Sequence, residues 1–123
     1  MSHFTRIKTQ LTNLDTVERA LEDLGYRVEH AGSARGFAGQ RAKADLVVQA
    51  GQYDIGFTQR DGQIEMVADL WGLELDRDAF LKQLTQRYAY HTVKAQAAQQ
   101  GWQNVEEEVQ SDGSIRLVMQ RWD

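Results

Sequence analysis

The sequence predicts an α+β fold, a two-layer sandwich in which two helices pack on one face of a mainly antiparallel sheet. The first observation is the order of hydrophobic patterns along the chain, β-α-β-β-β-β-α-β-β. The second is that connections between strands are short, two of them with Asp-Gly, which indicates antiparallel neighbours. The third is that no βαβ spacing repeats as in a parallel doubly wound sheet. The second sheet face is then open to a partner.

Length and composition indicate one folded domain over residues 1–123. The chain has 123 residues, 41% of them hydrophobic and 26% charged, which is typical of a globular domain. It has no cysteine, which excludes disulfides, thiolate nucleophiles and cysteine-ligated metals. No apolar run approaches the roughly 18 residues of a membrane-spanning helix, and no signal peptide is recognisable. We therefore expect a soluble cytoplasmic protein.

The amino-terminal half is predicted to contain one helix and five strands. Alternating apolar positions predict a first strand within residues 3–11. Asp15 and Glu18 have the spacing of a capping box, and Gly25 is a typical stop, so a helix is expected over residues 15–24. Further strands are expected at residues 26–30, 45–49, 53–59 and 64–69.

The carboxy-terminal half is predicted to be a long helix followed by a hairpin. Asp76 or Asp78 can cap a helix from Arg77 to Gln100, along which apolar residues recur about every 3.6 positions. Its length, about 36 Å, makes a bend near Tyr90 one alternative. The strands Val105–Gln110 and Ile115–Trp122 are then joined by an Asp-Gly turn.

Residues 31–43, AGSARGFAGQRAK, have no periodicity and combine three glycines with basic side chains. One interpretation is an anion-binding loop, in which the backbone approaches phosphate while Arg35 and Arg41 supply charge. The interpretation we favour is a mobile surface loop. Phe37 fits that interpretation poorly, because an apolar side chain in such a loop often packs against the core or a partner.

The long helix carries a second group of candidate binding residues, Arg87, Tyr88 and His91. Such a group can bind an anion or transfer protons. The alternative that we favour is a histidine at the edge of the core, hydrogen-bonded to the sheet. The sequence has no His-x-x-x-His motif, and we predict no metal site and no cofactor.

Acidic residues supply the remaining candidates. Asp54 and Asp69 lie in or just after apolar strands, where we expect Asp54 to point to solvent and Asp69 to end its strand. Glu106, Glu107 and Glu108 form either an edge protected by charge or an acidic docking ridge for a basic partner. Strand alternation predicts that these three side chains do not share one surface.

Five sequence blocks, in order along the chain, resemble the hypothetical chloroplast reading frame thirty-five family. They are MSHFTRIKT, YDIGF, DLW, QRYAYHTV and GSIRLVMQRW, starting at residues 1, 53, 69, 86 and 113. The resemblance implies a cyanobacterial cytosol or a plastid stroma, and a domain of unknown function without established catalytic residues. It also suggests a link to AAA-type ATPases, near which relatives in other bacteria are encoded.

We therefore expect an accessory protein that binds a protein partner, in an assembly related to photosynthesis or containing an AAA-type ATPase. An enzyme is the less favoured interpretation, and the sequence leaves a homo-oligomer open. The alternative is a small-ligand or anion-binding domain that combines the loop 31–43 with Arg87, Tyr88 and His91. Nucleic-acid binding through Arg27, Arg35, Arg41 and Lys43 ranks last, because the net charge of -4 opposes it.

Overall fold

The computed structural model describes residues 4–73 and 75–121, without the side chains of residues 104 and 105. An antiparallel sheet with the spatial order β1-β5-β4-β3-β2 is formed by β1 (Phe4–Lys8), β2 (Val28–Arg35), β3 (Arg41–Ala50), β4 (Tyr53–Arg60) and β5 (Gln63–Asp69). The helices are α1 (Leu14–Asp23) and α2 (Arg77–Gln99), and the strands β6 (Trp102–Val109) and β7 (Ile115–Arg121) pair with each other. The predicted class and element order are confirmed, but β6 and β7 form a separate two-stranded sheet.

Both helices pack on one face of the five-stranded sheet, as predicted. Strand alternation places one set of apolar side chains on this face, and the apolar sides of α1 and α2 cover them. Leu84 of α2 is completely buried in this core. The other buried side chains of the layer include Val17, Leu21, Leu46, Val48, Ile55, Phe57, Ile64, Met66 and Phe80.

The helix ends are set by side-chain caps. Asn13 caps α1 by accepting a hydrogen bond from the N–H of Thr16 at 3.0 Å, so the predicted capping box at Asp15 is wrong. Asp76 caps α2, which resolves the alternative left open by the sequence. The second helix continues through Tyr90 as one element.

The largest departure from the predicted strands concerns residues 31–43. These residues extend β2 and β3 into one long hairpin whose pairing runs from Val28 opposite Val48 to Arg35 opposite Arg41. The favoured interpretation as a mobile loop is therefore wrong, and only residues 36–40 form the tip. The predicted strand ends at His3 and Trp122 lie outside the described residues.

The outer half of this hairpin folds back over the sheet face opposite the helices. By register, residue 27 would neighbour Gln49, which pairs with Asp54 of β4. Arg35 is eight residues further along the chain than residue 27. In a straight hairpin it would therefore lie about 26 Å from residue 27, Gln49 and Asp54. Instead its backbone N–H donates to the Asp54 carboxylate at 2.8 Å. The strands reverse near Ala31, where φ is 52° and the pairing is interrupted.

Small residues allow the folded-back hairpin to lie close to the sheet. A β-carbon on Gly56 of β4 would come within 2.7 Å of the Ala44 β-carbon, and one on Gly36 within 2.6 Å of the Phe4 ring. Ala34 and Ala44 are buried together with Val47 in a second small apolar cluster. The expected open sheet face is therefore covered by the chain's own hairpin, because its residues are small enough to form a thin second layer.

Candidate functional site

Two buried carboxylates fasten the folded-back hairpin to the sheet. The first is Asp54, which is 3% exposed and accepts hydrogen bonds from the Arg35 backbone N–H, from Nε and, at 2.9 Å, from Nη2. This hydrogen-bonded ion pair raises the pKa of Arg35. The expectation that Asp54 points to solvent is wrong, because the hairpin covers it and supplies its partner.

The second carboxylate is Asp69, at the end of β5 as predicted. Its side chain is completely buried and accepts hydrogen bonds from two backbone N–H groups, that of Phe37 at 2.9 Å and that of Trp71 at 3.2 Å. One carboxylate thereby places the hairpin tip beside the turn that follows β5. Asp69 was not predicted to bind these two backbones. The sequence feature that could have indicated this role is an acidic residue at the end of an otherwise apolar strand.

The two residues that Asp69 holds by their backbones both have exposed aromatic side chains. Trp71 is 83% exposed and Phe37 is 50% exposed. Single exposed apolar residues are common, but the shared carboxylate brings these two residues to the same region of the surface, and exposed aromatic side chains in one region are typical of interfaces. We call Phe37 and Trp71 the aromatic pair. Phe37 was a candidate from the sequence, and Trp71 was not.

Arg35 and Arg41 lie on the same side of the sheet, in a groove between the folded-back hairpin and the strands beneath it. The groove has a volume of about 460 Å³ and is also lined by Arg27. It therefore contains three of the four basic residues considered for nucleic-acid binding. Lys43 lines a different depression.

The other binding candidates, Arg87, Tyr88 and His91, lie on the helix layer. Arg87 and His91 both contact the Asp23 carboxylate of α1, at 2.7 Å and 2.5 Å. Burial alone would raise the pKa of Asp23, but the hydrogen bonds from Arg87 and His91 outweigh burial and lower it. The prediction that His91 is hydrogen-bonded to the sheet is therefore wrong, because its partner is Asp23 of α1.

Tyr88 also joins the two helices. Its hydroxyl oxygen accepts hydrogen bonds from the backbone N–H groups of Thr12 and Asn13, at 3.3 Å and 3.2 Å. These contacts hold the start of α1 against α2. Because α2 and the folded-back hairpin cover opposite faces of the sheet, the structure does not assemble the hairpin arginines and the α2 residues into one site.

The acidic run of β6 is divided between two surfaces. Glu106 and Glu108 both lie near the guanidinium of Arg116 on β7, at 3.9 Å and 3.6 Å. Glu107 instead faces α2, where it accepts a hydrogen bond from the Tyr90 hydroxyl and lies 3.5 Å from the Lys94 amine. The predicted division follows strand alternation, and each carboxylate already has a partner within the chain.

The described part of the chain offers neither a grouped set of metal ligands nor a membrane-spanning helix. Among residues 4–73 and 75–121, no three histidine, cysteine or acidic side chains are grouped so as to hold a metal ion. None of the helices in that part of the chain has the length and apolar character needed to cross a membrane.

Comparison with known proteins then shows the family. Residues 20–118, which include the folded-back hairpin, Asp54 and Asp69, match the family described as Protein of unknown function (DUF1257). The chain belongs to the DUF1257 family. No solved structure matches it.

Several curated relatives, each called Uncharacterized protein ycf35, resemble this DUF1257 protein over nearly its whole length. The proteins of Guillardia theta, Pyropia yezoensis and Cyanophora paradoxa are 38%, 36% and 34% identical to it. Each alignment covers 99% of this chain and 98% of the relative. The family resemblance expected from the five sequence blocks is confirmed.

Proposed function

We propose that the protein is an accessory module that binds a protein partner through the aromatic pair. The observation that carries this proposal is that one buried carboxylate binds the backbones of both Phe37 and Trp71, while their aromatic side chains are exposed. The favoured partner is a protein segment with an apolar side chain that can insert between or against the two rings. Aromatic side chains of this kind supply much of the binding energy at protein interfaces.

The hydrogen bonds to Asp69 favour binding because they order the backbone before a partner arrives. Phe37 belongs to a hairpin tip and Trp71 to a turn, and ordering such segments during association would reduce the affinity. Asp69 fixes both backbones from a fully buried position in the sheet. The rings are therefore presented by a rigid support rather than by free loops.

We further propose a cyanobacterial cytosol or a plastid stroma as the setting, and an AAA-type ATPase or a photosynthesis-related assembly as the source of the partner. The similarity to the ycf35 proteins of Guillardia theta, Pyropia yezoensis and Cyanophora paradoxa supports this setting. The ATPase follows from the family resemblance alone, and so it needs its own arm in the experiment.

The experiment is a pull-down from a cyanobacterial lysate with the full chain, with and without ATP, read by quantitative mass spectrometry. We expect one protein to be retained in stoichiometric amounts by the wild type, and lost with Phe37→Ser or Trp71→Ser. Val109→Ser is the matched control, because Val109 is also apolar and 67% exposed but lies on the separate β6–β7 hairpin.

Two results would contradict the proposal. If the partner is retained by both aromatic variants, or lost equally with Val109→Ser, the aromatic pair is not the binding surface. If the retained protein or assembly contains no ATPase, and its retention does not depend on ATP, the ATPase assignment is contradicted. The proposed docking surface would not be affected by that result. Circular dichroism of each variant distinguishes loss of binding from loss of folding.

A further inference from the structure

The groove beneath the folded-back hairpin has the size of a small-molecule site. Its volume of about 460 Å³ falls within the range of roughly 300–1,000 Å³ that is usual for ligand pockets. Its floor includes Val47 and Gln49 of β3, and its outer wall includes Ser33 and Arg41 of the folded-back segment. The groove exists because the hairpin reverses over the sheet, and it is separate from the aromatic pair.

The charges in the groove favour an anion. Arg35 is occupied by Asp54, which binds its guanidinium with two nitrogen atoms. Arg27 and Arg41 also line the groove, and within residues 4–73 and 75–121 no carboxylate lies within 4.0 Å of either guanidinium. Two guanidinium groups, from Arg27 just before β2 and from Arg41 at the start of β3, thus remain available, while among the described lining residues Glu29 is the one further carboxylate.

We propose that this groove binds a small phosphate monoester with a hydroxylated body. Two guanidinium groups lining one groove suit a phosphate group, which has a charge near −2 and several acceptor oxygens. Glu29, Ser33 and Gln49 can accept hydrogen bonds from hydroxyl groups of the rest of the ligand. The polar lining makes a purely apolar tail a poor fit, and the acidic Glu29 disfavours a second phosphate at its end of the groove.

The test is isothermal titration calorimetry, in which the full chain is titrated with glycerol 3-phosphate at constant ionic strength. Glycerol and inorganic phosphate are the comparison ligands. We expect saturable binding at one site, and weakening of about tenfold or more in Arg27→Gln and in Arg41→Gln. Both side chains are exposed and without an ion pair in the described chain, so both variants are expected to fold as the wild type does. Glycerol is expected not to bind, and inorganic phosphate to bind more weakly than the ester.

Arg19→Gln is the matched control, because it removes the same charge from the exposed side of α1, away from the groove. Its affinity is expected to stay within about twofold of the wild type. Absence of saturable binding up to about 20 mM, well beyond ordinary metabolite affinities, would overturn the proposal. So would equal weakening in all three variants, unchanged affinity in Arg27→Gln and Arg41→Gln, or inorganic phosphate binding as tightly as the ester.

Ligand binding in the groove does not depend on partner docking. A result that contradicts one of the two proposals therefore leaves the other standing. Phe37→Ser and Trp71→Ser are expected to leave the titration with glycerol 3-phosphate unchanged, because neither residue lines the groove. Loss of phosphate binding in these two variants with an intact fold would overturn the assignment of the groove.

Discussion

Gly56 gives the sharpest test of the folded-back hairpin. It lies in β4 on the covered face, and the β-carbon of an alanine there would meet Ala44 Cβ at 2.7 Å. Carbon atoms in contact normally lie about 3.5–4.0 Å apart, so the hairpin would have to move away by about 1 Å. A backbone oxygen of Val67 at 3.7 Å and Ala34 Cβ at 3.6 Å limit the space on the other sides.

The sign of the change in the free energy of unfolding caused by Gly56→Ala shows whether the folded-back hairpin is closely packed on β4. Without a clash, alanine should stabilise a strand by about 0.5–1 kcal/mol relative to glycine. Overpacking of a filled interface costs about 1–3 kcal/mol. We therefore expect Gly56→Ala to lower the free energy of unfolding by about 1–2 kcal/mol.

Moving the methyl group to the other strand should relieve the clash. Ala44→Gly alone is expected to cost about 1–2 kcal/mol, from backbone entropy and about 0.8 kcal/mol of lost methyl burial. In the double variant Gly56→Ala/Ala44→Gly the two β-carbons no longer collide. We expect it to be more stable than the sum of the single effects predicts, by about 1 kcal/mol or more.

Urea unfolding followed by far-UV circular dichroism measures these free energies. Ala20→Gly, at a buried alanine of α1 on the other face of the sheet, is the control and should combine additively with Gly56→Ala. A stabilised Gly56→Ala variant, or additivity with Ala44→Gly, would refute the close packing of the hairpin on β4.

Three further predictions concern the helix layer. Leu84→Ala should lower the free energy of unfolding by about 2–5 kcal/mol, because the side chain is completely buried. The control Gln83→Ala, at an exposed position, should change it by less than about 0.5 kcal/mol. Equal values for the two variants in urea unfolding would refute the packed face of α2. Asp23 has a pKa below its ordinary 3.8 in the folded state, so its stabilising contribution is complete above about pH 5 and is lost progressively as the pH falls below 3.8 and through the folded pKa. Asp23→Asn should therefore weaken the loss of stability in urea between about pH 5 and pH 3, and an unchanged pH profile would contradict this. Tyr88→Phe removes the acceptor of two backbone N–H groups before α1 and should cost about 0.5–1.5 kcal/mol by thermal unfolding. No change in Tm would contradict a stabilising role for these two hydrogen bonds.

The elements themselves could be predicted because their signals are local. Apolar alternation identified each strand, and the 3.6-residue spacing ended by Gly101 identified α2. The Asp61-Gly62 turn has φ values of 54° and 80°, as expected for a hairpin with two left-handed residues. Local signals were less decisive at boundaries, where Asn13 rather than Asp15 caps α1 because its side chain reaches the N–H of Thr16.

The candidate site was only partly predictable, because its groups come together through contacts distant in sequence. Phe37 stood out as an apolar residue in a polar segment, but Trp71, the other member of the aromatic pair, lies 34 residues further along the chain. Asp69 joins them through backbone N–H groups, which leave no trace in residue type. Arg35 and Asp54 are 19 residues apart and meet only because the hairpin reverses.

The sequence by itself determined the α+β class, the order of elements, the packing of both helices on one sheet face and the family, since these depend on periodicity, on turn residues and on the order of sequence blocks along the chain. The tertiary structure decided how residues 31–43 are used. Their alternation is obscured by glycine and alanine, which carry too little apolar surface to signal a strand, and those same small side chains are what let the hairpin lie against Gly56 and Phe4. Whether a sheet face is open or covered is thus a property of packing between distant segments, which no local pattern records.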